Sequence, residues 1–201
     1  MLTTGWSRRL AMVALVTALI DLVAFVALHI AQPEVDVLRE PTSAYVHGAL
    51  GFFSVVASIA VGIGAVALAI VVWALASTIP ARVGAGLLLL FGLAKVLQGF
   101  FPIDVPGEST TTGVTHNLLG NLAFFVLPVA AVLVTRAVAR ATGREAPAWW
   151  PAAAGWLLVV TSVLVLAGDG IGLFGLGQRI YLVSAMGWTA LVAGWLWRPK
   201  T

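Results

Sequence analysis

Leu10-Ala11-Met12-Val13-Ala14-Leu15-Val16-Thr17-Ala18-Leu19-Ile20-Asp21-Leu22-Val23-Ala24-Phe25-Val26-Ala27-Leu28-His29-Ile30 is an apolar run in which Asp21 and His29 are the only ionisable groups. A helix needs roughly 20 such residues to cross the hydrocarbon core of a bilayer. Ser7-Arg8-Arg9 in front of it has the look of a secretion signal. The apolar run is too long for a signal's hydrophobic segment and no small-residue cleavage site follows, so the expectation is a retained first span.

Working outward, five more stretches of this kind follow, at residues 48–76, 81–101, 114–134, 150–167 and 181–196. With residues 10–30 they predict an all-α polytopic membrane protein, a six-transmembrane-helix bundle forming one transmembrane domain over residues 1–201. Composition agrees: 61% of the chain is apolar and 9% is charged, against about a quarter charged in a soluble domain. Cysteine is absent, which excludes disulfides, iron–sulfur clusters, thiolate zinc sites and cysteine nucleophiles.

The net charge of +3 could suggest a nucleic-acid partner. The basic residues, however, sit at span ends rather than in a stripe, so membrane lipids are the expected partners and nucleic acid is not. If the spans alternate, Arg8, Arg9, Arg82, Arg136, Arg140, Arg144, Arg198 and Lys200 share one side. Glu34, Asp36, Glu40, Asp104, Glu108 and Asp169 share the other, offset by Arg39 and Arg179. The positive-inside rule then places both termini in the cytoplasm. A tryptophan belt of Trp6, Trp73, Trp149, Trp150, Trp195 and Trp197 marks the same edge. Richness in Ala, Val, Leu and Arg suggests a bacterial plasma membrane.

Lipid tails supply no hydrophobic drive between spans, so small residues should form the contacts. The expected contact residues are Ser54, Ala57, Ser58, Gly62, Gly64 and Ala65 in the second span, with Gly84, Gly86 and Gly92 in the third.

The polar residues carry the chemistry. His29, His47 and His116 all map to the acidic, extracytoplasmic edge, with Asp104 and Asn117 at the same depth. Imidazoles with one carboxylate are a zinc-ligand set, which makes His29, His47, Asp104 and His116 the expected ligands of a possible Zn cofactor. Without metal, His116 and Asp104 could act as general base and acid. Asp21 and Lys95 lie deeper and are expected to form an intramembrane ion pair; Gln98 extends that face toward the outer edge. Residues 168–179 match a dinucleotide fingerprint in letters only, with no strand before them, and read as a glycine-rich loop dipping into the interface. Arg179 at its end would meet Asp104 or a lipid phosphate, or anchor the last span.

These elements form a pattern: Tyr45-x-His47-Gly48 opening the second span, Phe101-Pro102-Ile103-Asp104, His116 leading the fourth, and Gly175-Leu176-Gly177-Gln178-Arg179-Ile180 before the last. It resembles the bacterial membrane family catalogued as domain of unknown function nine-nine-eight, and more loosely the Frag/DRAM-type six-span proteins. The resemblance covers most of the chain. It implies six helices and an outer cluster containing Asp104, His116 and Arg179, and it brings no activity with it.

The functional expectation is an extracytoplasmic pocket recognising a lipid headgroup or other amphiphile, with Arg179, Gln178, His47 and Asn117 binding it. An enzyme version has His116 or Asp104 activating water for hydrolysis. The alternatives are a non-catalytic structural subunit and a small transporter coupled through Asp21 and Lys95.

Overall fold

The computed structural model describes residues 5–143 and 149–198. Arg144 and Lys200 of the charge argument, and the side chain of Trp150, lie outside the described residues. The described chain forms six α-helices: α1 (Gly5–Ala31), α2 (Phe52–Leu75), α3 (Ile79–Gln98), α4 (Thr111–Thr142), α5 (Trp149–Asp169) and α6 (Phe174–Trp197). A 3₁₀ turn, Thr42–His47, precedes α2. All six helices are long and apolar enough to cross a membrane. Leu19, Val23, Ile30, Val163 and Val183 are among many large apolar side chains left exposed, a surface that suits lipid and not water.

Each helix packs on the one before it, and α6 closes back on α1. The result is a ring in chain order. Glycines set its tightest seams. A Cβ on Gly62 of α2 would lie 2.5 Å from the Gly92 carbonyl oxygen of α3, and one on Gly92 would lie 2.8 Å from the Gly62 oxygen. Gly84 meets Leu133 of α4, Gly155 of α5 meets Val132, and Gly177 of α6 meets Val165 of α5. Backbones that approach this closely gain dispersion contacts that lipid cannot match. Gly86 is an exception to the expected contact set, because it faces open space. Ser54, Ala57 and Ser58 turn toward the interior of the ring and line a cavity.

Three boundaries differ from the sequence expectation. Residues 48–51 are turns, with Leu50 in the left-handed region at φ 62°, so α2 begins later than residue 48. Helix α4 runs eight residues beyond 134; at 1.5 Å per residue it is about 48 Å long, longer than the roughly 30 Å core, and its last turns carry exposed Arg136 and Arg140. Residues 174–180, expected as part of a dipping loop, are the first two turns of α6. Gly175 and Gly177 serve close helix packing there: a Cβ on Gly175 would meet the Glu40 carbonyl oxygen at 2.5 Å. Trp6, Trp73, Trp149 and Trp197 are exposed at one end of the ring, whereas Trp195 is buried and belongs to the core.

Candidate functional site

The ring is not filled. A cavity of about 340 Å³ runs inside it, from the loops opposite the chain termini to the middle of the helices. Thr42, Ser43, Pro102 and Ile103 border it at the loop end, while Thr17, Leu68, Leu88, Leu127 and Trp188 border it at depth. Beneath it the ring is closed by Ala11, Ala14, Val71, Val72, Val134, Val138 and Leu196, all essentially buried. Trp188 strengthens this floor by donating its indole N–H to Thr135 Oγ1 at 2.7 Å.

Two polar networks border the cavity. The first clamps the segment between α1 and α2. Arg179, buried in the second turn of α6, donates from all three of its nitrogens: Nε to His29 Nε2 (2.9 Å), Nη1 to the carbonyls of Val37, Glu40 and Gly175 (3.1, 2.8 and 3.0 Å), and Nη2 to Tyr45 Oη (3.1 Å). Its partners are therefore a histidine, a phenol and carbonyls, and neither Asp104 nor another carboxylate. Gln178 Oε1 accepts from the backbone N–H and hydroxyl of Thr42 at 2.7 and 3.1 Å. Gln32, buried at the end of α1, donates to the carbonyls of Tyr45 and Ala49 at 2.9 and 2.6 Å. The sequence reading passed over Gln32; its only signal is an amide at the end of an apolar run.

The second network runs along α3 and α4. Lys95 Nζ donates to Gln98 Oε1 at 2.5 Å, and Gln98 Nε2 lies 3.2 Å from His116 Nε2. His116 Nδ1 stands 2.7 Å from the Phe101 carbonyl. A carbonyl only accepts, so Nδ1 carries the proton and Nε2 receives the Gln98 amide. His29 obeys the same logic: Nδ1 donates to the Phe25 carbonyl at 2.7 Å, leaving Nε2 to accept from Arg179.

Asp104 sits apart from the cavity. It accepts from the Thr110 N–H and hydroxyl at 2.9 and 2.5 Å, and Thr110 in turn caps α4 by accepting from the Gly113 N–H. These Thr110 hydrogen bonds, side chain first and then backbone, hold the Asp104 carboxyl below its ordinary range. His47, at the end of the 3₁₀ turn, is exposed. The four expected zinc ligands are thus dispersed, and the ring nitrogens of His29 and His116 are already hydrogen-bonded. Among the described residues no group of three His, Asp or Glu side chains could hold a metal ion. These residues do not fit zinc.

A family model described as "Protein of unknown function (DUF998)" matches residues 15–195, from within α1 to within α6, and includes both networks. The chain belongs to the DUF998 family. No curated protein and no solved structure matches it significantly. The Tyr45, His116 and Arg179 positions that carried the resemblance are the anchors of this DUF998 chain's two networks, whereas Asp104 holds Thr110, the residue that caps α4.

The remaining expected residues line the cavity. Asp21 of α1 and Lys95 of α3 both face it, near enough to attract one another electrostatically. They form no contact ion pair; the one such pair among the described residues is Arg39–Asp36 on the surface. Asn117 lines the cavity with Asn121, one turn further along α4, which sequence reasoning had not singled out. Apart from its attraction to Lys95, the Asp21 carboxylate has no partner among the described residues.

Proposed function

We propose that this DUF998 protein binds an amphiphile, a lipid headgroup with its adjoining chain or a molecule of that character, in the cavity of its helix ring. The observation that carries this reading is the gradient along the cavity wall. Gln178, Gln98, His116 and Asn117 occupy the loop end, Asp21, Lys95 and Asn121 the middle, and Leu68, Leu88, Leu127 and Trp188 the floor. Ligand sites are concave and mainly apolar, with a few convergent polar groups, and their volumes run from about 300 Å³ upward. The basic residues at the opposite end support a cavity mouth on the extracytoplasmic side of a bacterial plasma membrane.

In this reading Arg179 and Gln178 act by holding the segment that roofs the cavity, through Arg179 Nη1 and Nη2 and Gln178 Oε1. Binding is favoured over hydrolysis because both nitrogens of His116 are hydrogen-bonded and Asp104 is engaged by Thr110. It is favoured over transport because the described residues beneath the cavity are packed apolar side chains, Ala11, Ala14, Val71, Val72, Val134, Val138 and Leu196. It is favoured over a bracing role because braced groups satisfy one another, and the part-buried Asp21 carboxylate that lines the cavity forms no side-chain hydrogen bond.

The test is native mass spectrometry of detergent-purified protein. Wild type should carry amphiphile adducts, and Ala57→Phe, which fills the cavity from α2, should lose them at unchanged melting temperature. Equal adducts on both proteins would refute a cavity site.

A further inference from the structure

Four side chains lining the cavity are acids or bases that can carry charge near neutral pH: Asp21, Lys95, His29 and His116. The two histidines are held as neutral Nδ1–H tautomers by the carbonyls of Phe25 and Phe101, with Nε2 accepting. That leaves one carboxylate on α1 and one ammonium on α3. The cavity is therefore neutral overall and strongly dipolar.

Each charge is incompletely satisfied. Lys95 has three N–H donors and uses one, toward Gln98; the Asp21 carboxylate accepts no hydrogen bond. A charge at this depth is costly unless it is paired or hydrated, and these two are held apart by their helices. Ser58 donates to the Lys95 carbonyl at 2.8 Å, which fixes α3 against α2. A net anion entering the cavity would face Asp21, and a net cation would face Lys95. A ligand bearing both charges opposes neither.

We propose that the occupant is a zwitterion, whose ammonium meets Asp21 and whose phosphate or carboxylate meets Lys95. Asn117, Asn121 and Ser54, which line the same space and make no side-chain hydrogen bond, supply neutral donors and acceptors for its ester and hydroxyl oxygens. This inference rests on the amphiphile reading and narrows it to a charge pattern.

The experiment titrates detergent-purified protein with phosphatidylethanolamine or phosphatidylglycerol of matched chains, reading bound lipid by native mass spectrometry. Wild type should prefer the ethanolamine lipid about tenfold. Asp21→Asn should bring that ratio close to one by removing the ammonium partner. Lys95→Gln should weaken both lipids, because both carry the phosphate. The double variant Asp21→Asn/Lys95→Gln keeps no isolated charge, should fold as well as wild type, and should show no preference. Glycerophosphoethanolamine is added as a water-soluble competitor. Displacement of the lipid identifies the headgroup alone as sufficient, and failure to displace it identifies the chains as required; both accord with a zwitterion. Equal binding of the two lipids by wild type, or an unchanged ratio in Asp21→Asn, would overturn the proposal. Charge-blind binding that Ala57→Phe still abolishes would defeat the zwitterion and leave the amphiphile reading standing. Binding insensitive to Ala57→Phe would defeat both.

Discussion

Around Arg179 hydrogen bonds are dense: three guanidinium nitrogens reach a histidine, a phenol and three carbonyls, Gln178 Oε1 accepts from Thr42, and Gln32 Nε2 donates to two carbonyls. Around Asp21, at the middle of the cavity, the carboxylate has no hydrogen bond, and the Asn121 amide that lines the same cavity has none. Both regions place one formal charge in an apolar helix. A saturated charge is structural, because removing it strands its partners; an unsatisfied charge beside a cavity is available to a ligand. The contrast separates scaffold from site within one bundle.

The largest effect expected on the scaffold side is Arg179→Ala. It orphans His29, Tyr45 and the carbonyls of Val37 and Glu40, and should destabilise the protein by about 3–5 kcal/mol, since each buried polar group left without its partner costs about 1–3 kcal/mol. Thermal unfolding in detergent measures it. Arg179→Lys should recover little, since an ammonium cannot reproduce the planar fork. Next comes Gly92→Leu, which drives a side chain into the α2 backbone at Gly62; overpacking of this kind costs about 1–3 kcal/mol, read by the same melt. Gln98→Ala follows. It removes the bridge between Lys95 and His116 and should cost about 1–2 kcal/mol for the stranded partners, with a gain in ligand response because Lys95 is freed toward the cavity.

The smallest effect belongs to Asp104, on the exposed side of the α4 cap. Its carboxyl is held below the ordinary range by Thr110, so the charged form is favoured in the folded state. Its contribution is full above the unfolded value of about 3.9 and is lost as pH falls through the lower folded value. The melting-temperature difference between wild type and Asp104→Asn should therefore be constant at neutral pH and shrink only in acid. A difference that grew on acidification would contradict the cap.

How much of this was legible in the sequence follows from which forces are local. Span number and the clustering of Arg at alternate ends are local, because transfer free energy is summed residue by residue. The lengths of α4 and α6 were not legible, for opposite reasons. Beyond residue 134 hydropathy falls at Arg136 and Arg140 while Ala and Arg keep strong helix propensity. Before residue 181 the glycines look like loop, but Gly175 and Gly177 are there so that α6 can press against the Glu40 segment and α5. Asp21, Lys95, Gln98 and His116 stood out because ionisable groups and amides are scarce in such spans. Which histidine nitrogen carries the proton, and that Ser54, Ala57 and Ser58 line a void, depend on how six helices meet. No stretch of sequence holds that information.

The comparison between the two regions is tested most directly by the melting temperatures of Asp21→Asn and Arg179→Ala, measured side by side in detergent with and without added phosphatidylethanolamine. The account predicts that Asp21→Asn melts at or above wild type without lipid and loses the stabilisation that lipid gives wild type, while Arg179→Ala melts far lower under both conditions. An Asp21→Asn protein that melts as low as Arg179→Ala without lipid would show that Asp21 is part of the scaffold, and would contradict the account.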